Sequence, residues 1–135
     1  MARGLSSLQR QILGLAWTRE QAHGTRGAIS LLFPQEIYVR IYHWPITHPA
    51  AAFPWDREQG LALQQSFHFQ PSVIGIPRYR ATRVTVSRAL GRLQHRGLLR
   101  RRQVKWAVGW CLTDAGRLVA QQLLVDIVDT NVTRN

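Results

Sequence analysis

The sequence predicts a mainly helical α+β fold carrying one small β-hairpin, and three observations predict it. Apolar residues recur at helical spacing in separate stretches, two Pro-free β-prone stretches lie back to back, and a Thr-Asp pair opens a further helical run. At 135 residues, 45% hydrophobic and 19% charged, the chain fits one domain over 1–135 with a single core.

The first helix is expected from Ser7 to Arg19. Ser6 and Gln9 have the spacing of a capping box, and Leu8, Ile12, Leu15 and Ala16 form the stripe behind it. Gly24 and Gly27 punctuate a loop. Pro34 then suits a helix start, with Ile37, Tyr38, Ile41 and Tyr42 as the apolar face and Pro45 as the stop; the run from Glu36 to Tyr42 also alternates as an edge strand would. From 43 to 77, five prolines are interleaved with Trp44, Phe53, Trp55, Phe67 and Phe69. That composition reads as an insertion held on the domain by its rings, with room for a short helix around Arg57 to Phe67.

Beyond Pro77, Tyr79, Val86, Ala89, Leu90 and Leu93 share one helical face, and Gly97 stands where a left-handed cap belongs. Leu98 to Val104 and Lys105 to Leu112 then read as a hairpin with its tip near 103–107. Thr113 caps a last helix, with Asp114 in its first turn, to about Asp129. Helices, hairpin and helix in this order make a winged helix-turn-helix.

Charge narrows the partner. Eighteen Lys+Arg against seven Asp+Glu give a net +11, and no acid occurs between Glu58 and Asp114. Nearly every base is Arg, whose planar fork matches phosphates and guanine edges, so double-stranded DNA is favoured over a membrane. A wheel of Val84 to Arg96 puts Val84, Ser87, Arg88, Gly91, Arg92 and His95 opposite the apolar face, where a major groove would meet them. The candidate contacts are Arg80, Arg83, Thr85, Ser87, Arg88, Arg92 and His95 on the helix and Arg100, Arg101, Arg102 and Lys105 on the hairpin.

Thr85-Val86-Ser87-Arg88-Ala89-Leu90, Leu93, Arg96-Gly97-Leu98-Leu99-Arg100 and Leu112-Thr113-Asp114-Ala115-Gly116-Arg117 resemble the recognition helix, wing and following helix of MarR-type winged-helix regulators. Leu5 to Leu13, with Gln9-Arg10 before Ile12-Leu13, is similar to the first core helix of that group. The resemblance covers about half the chain, and the 43–77 insertion departs from the compact family pattern. It implies a repressor whose recognition helix enters the major groove while its wing touches the minor groove or backbone.

Other classes fare worse. No paired carboxylates, nucleophile elbow, phosphate-cradling Gly loop or Cys/His arrangement supports catalysis or a cofactor site. The five histidines lack metal-ligand spacing. Cys111 is the only cysteine, which suits a reducing cytoplasm and a nucleoid location, and it reads as a core filler more readily than as a redox sensor. No stretch is long and apolar enough for a membrane span.

The insertion either covers the core or holds a small-molecule effector or protein partner. The last helix, with Leu118, Val119, Leu123, Leu124, Val125, Ile127 and Val128, is apolar over more of its circumference than one core face needs, which suggests a homodimer. A non-specific or architectural nucleic-acid binder and a winged-helix protein-interaction adaptor are the rival readings.

Overall fold

Ser6 starts the first helix as its spacing requires. The Gln9 amide donates to the Ser6 hydroxyl and the Ser6 amide to Gln9 Oε1, each at 3.1 Å, and α1 runs Ser7–His23. That is one turn past the expected end at Arg19. The added turn carries Glu20, which is ion-paired with Arg117 from the far end of the chain, a tertiary contact that local sequence cannot announce. The computed structural model describes residues 4–27, 30–45, 48–49, 67–104 and 107–134, the last eight of these as backbone.

The second helix, α2, spans Pro34–Arg40 with Pro34 in its first turn, where a missing N–H costs nothing. The edge-strand alternative for this stretch is therefore set aside. Of the expected insertion, the described parts are its two ends. A two-residue strand β1 (His48–Pro49) pairs antiparallel with β2 (Phe67–His68), and the helix expected from Arg57 falls mostly outside the described residues.

A short helix α3 (Pro71–Ile74) leads through Gly75 into α4 (Ile76–His95). This corrects two expected boundaries: regular helix begins inside the 43–77 span, and the helix expected from Val84 starts two turns earlier. Pro77 does not stop α4 because it sits in the first turn.

The hairpin is β3 (Leu99–Val104) and β4 (Ala107–Leu112), antiparallel, with Leu99 opposite Leu112 and Arg101 opposite Trp110. Leu32 adds a third, one-residue rung on the other edge of β4. Its N–H donates to the Trp110 carbonyl at 2.8 Å and its carbonyl accepts from the Trp110 N–H at 2.9 Å. The last helix, α5, runs Asp114–Arg134, a turn beyond the expected Asp129.

Ile12, Leu13, Leu32, Ile37, Val86, Leu93, Leu99 and Leu112 are buried where α1, α4, α5 and the wing meet. Each such side chain contributes about 1.5–3 kcal/mol through loss of water contact. Two glycines fix how the wing leaves the core. Gly97 takes φ +73, the left-handed cap of α4, and at Gly116 a Cβ would stand 2.0 Å from the Leu98 carbonyl oxygen, so only glycine lets α5 approach the wing root. Thr113 ties the two together, its hydroxyl donating to the Gly97 carbonyl and accepting the Gly116 amide. Helix, rung, helix, helix, two-stranded wing and helix make a winged helix-turn-helix, as the sequence predicts.

Candidate nucleic-acid interface

The helical period divides α4 into two faces. Val86, Ala89, Leu90 and Leu93 are buried, while Val84, Ser87, Arg88, Gly91, Arg92 and His95 are all exposed. The exposed face does not stand alone. Between α4, the start of α2 and the wing lies a groove of about 1420 Å³. Arg80, Arg83, Ser87, Arg88 and Arg101 line it, and no described acid does. Arg92 and His95 continue the α4 face beyond the groove.

Residues 81–99 match the family described as bacterial regulatory proteins, crp family. No curated protein and no solved structure matches the chain. The matched stretch runs from the second turn of α4 through Gly97 to the first residue of β3, and it supports a helix-turn-helix regulator. Six of the candidate contact residues fall inside it, Arg83, Thr85, Ser87, Arg88, Arg92 and His95.

The wing arginines do not act as one cluster. Side chains alternate along a strand, so Arg101 shares the Leu99 face and reaches the groove beside Trp110 and Val108. Arg100 and Arg102 point to the other face. Arg100 is exposed, whereas Arg102 donates from Nη1 to the Thr25 carbonyl at 3.0 Å. Lys105 lies outside the described residues.

Two helix residues have local partners. Thr85 Oγ1 donates to the Ala81 carbonyl at 2.9 Å, which leaves its oxygen lone pairs open. The Arg83 guanidinium lies 5.4 Å from the centroid of the Tyr79 ring and hydrogen-bonds Tyr38. Burial pushes the Tyr38 phenol above its ordinary range, and the nearby Arg83 cation opposes that rise.

Behind the groove, Trp44 is stacked between Tyr38, centroids 4.4 Å apart, and Tyr79, at 5.2 Å. Phe69 meets Trp44 edge-on at 5.3 Å. These rings fasten both ends of the inserted span to α2 and α4; such pairs contribute about 0.5–1.5 kcal/mol each beyond area burial.

The remaining described arginine pairs are elsewhere. Arg19 meets Glu36 at 3.3 Å and Arg40 meets it at 3.1 Å, and none of the three lines the groove, while Arg117 pairs with Glu20 and Asp114. Burial lowers the Arg19 guanidinium from its ordinary value, and Glu36 counteracts the shift. No described carboxylate pairs with Arg78, Arg80, Arg83, Arg88, Arg92, Arg100 or Arg101.

Sequence reasoning missed Gln35, Gln94 and Trp110 as groove residues. Trp110 was within reach of it, since a hairpin register pairing Leu99 with Leu112 sets Trp110 opposite Arg101. Gln35 was not, because its place depends on how α2 packs. Among the described residues, no group of three His, Cys, Asp or Glu could hold a metal ion, and no helix is long and apolar enough to cross a membrane.

Proposed function

We propose that this chain is a sequence-specific transcriptional regulator that binds double-stranded DNA, with α4 in the major groove and the basic wing on the backbone or minor groove. The observation that carries the reading is the arginine face of α4, without a described acid: Ser87 and Arg88 line one groove with Arg101, and the exposed Arg92 continues their line. Phosphate attraction alone needs no such alignment, whereas base readout does. Arg88 makes a bidentate pair with guanine O6 and N7, Ser87 meets a phosphate, and Gly91 allows close backbone approach. The resemblance to MarR-type regulators supports repression by occupancy of the site, in the cytoplasm on the nucleoid.

We read α5 as the dimerisation helix. Leu118 is 68% exposed and Val125 51%, one above the other on the side away from the core, so two copies would bury them together and present two α4 helices to an inverted repeat. Leu118→Glu with Val125→Glu is expected to convert a sedimenting dimer to a monomer. The inserted span is read as a place for an effector or protein partner, with its packed rings as the anchor that holds it to α2 and α4.

The test of the whole reading is selection of bound duplexes from randomised DNA, followed by titration of the selected and a scrambled duplex over a range of salt. A regulator of this kind binds its selected site about 10³-fold or more tighter than the scrambled one. Equal affinity for both would leave only an architectural binder.

A further inference from the structure

The loop that follows α1 lies against the wing. Gly24 ends the helix, and Thr25, Arg26 and Gly27 come next, all exposed. Arg102 stands two residues from the end of β3 and donates to the Thr25 carbonyl at 3.0 Å. That single bond sets Arg26 beside the outer half of the hairpin, on the face opposite Arg101. No described carboxylate pairs with Arg26, Arg100 or Arg102; the nearest described acids on that side, Glu20 and Asp114, are taken up by Arg117.

We propose that loop 24–27 is a second nucleic-acid contact, in which Arg26 binds a phosphate of the duplex backbone and Arg102 acts as its positioning residue. The inference rests on the duplex-binding reading above and extends it. A hairpin that enters a minor groove has a phosphate wall on each side. Arg101 serves the wall nearer α4, and Arg100 with Arg26 serves the other. Arg102 uses its guanidinium to hold the loop at that height, a role that an equivalent Lys, a point charge without a planar fork, fills less well.

Contacts of this kind carry no base information, so their loss weakens binding to every sequence equally and releases fewer counterions. The experiment measures affinity for a duplex of about three helical turns, selected or scrambled, as salt is varied. Arg26→Ala is expected to weaken both duplexes about three- to ten-fold near 0.1 M salt and to make the log–log salt slope shallower by about 0.9. Thermal unfolding should be unchanged, since the side chain is exposed.

Arg102→Ala should give a similar loss, and the double variant little more than either single one, because both remove the same contact. Arg26→Ala with wild-type affinity and slope, in a protein where Arg88→Ala and Arg101→Ala weaken binding, overturns the loop contact and leaves the groove reading standing. Additive losses in the double variant overturn the positioning role of Arg102. A wild-type chain that binds neither duplex overturns both readings together.

Discussion

Arginine is used in two opposite ways in this molecule. Around α1, α2 and α5 it is paired: Arg19 and Arg40 converge on Glu36, and Arg117 bridges Glu20 and Asp114. On α4 and the wing no described acid pairs with Arg78, Arg80, Arg83, Arg88, Arg92, Arg100, Arg101 or Arg102, and contacts such as Arg83 on Tyr79 and Arg102 on the Thr25 carbonyl take the place of ion pairs. The same side chain stabilises the fold where an acid is supplied and creates a field where none is. Of the net +11, the part carried by α4 and the wing is left unneutralised because the described acids Glu20, Glu36 and Asp114 stand beside other arginines.

This contrast can be broken from the paired side first, where the largest effect is expected. The Arg19 and Glu36 side chains are only 11% and 10% exposed, so Glu36→Ala takes the counter-charge from a buried cation that also bonds the neutral Leu31 carbonyl. Urea unfolding should register a loss of about 3–5 kcal/mol. A loss under about 1 kcal/mol would mean that Arg19 escapes to water and that the pair is not structural.

On the unpaired side, Arg88→Ala should cost roughly 1–3 kcal/mol in binding to the selected duplex and relax its preference at one base pair, with unfolding unchanged. Equal losses on selected and scrambled DNA would count against base readout. Arg101→Ala belongs to the same region but to a different kind of contact. It should weaken all duplexes alike and flatten the salt slope by about 0.9, and an unaltered slope would remove the wing from the interface.

The smallest effect returns to the paired side. Arg40 shares Glu36 with Arg19 but is 62% exposed, and Arg40→Ala should cost no more than about 0.5 kcal/mol in unfolding. A larger cost would mark it as part of the buried network.

Local signals carried most of what the sequence revealed. The Ser6 capping box, the apolar stripe of α4, the Gly97 cap and the Thr113 start depend on neighbours within a turn, and each is found where the spacing puts it. Features that join distant residues were not legible. The Leu32 rung depends on Trp110, the last turn of α1 is accompanied by the Glu20 to Arg117 pair, and the Trp44 to Tyr79 stack crosses the whole inserted span. For the candidate interface, the exposed α4 face was legible from its period. The division of Arg100, Arg101 and Arg102 between two faces follows from the period of two in a strand, a signal present in the sequence but obscured by reading the three arginines as one cluster.

The aromatic stack has a consequence for the length of the chain it closes. Trp44 and Phe69 touch at 5.3 Å, and His48 pairs with His68, so the backbone departs and returns at nearly the same point. The entropy of closing such a loop grows only with the logarithm of its length, about 0.6 kcal/mol for each doubling. A change in the number of residues between these two ends is therefore expected to cost little through chain closure itself, provided the rings at the base remain.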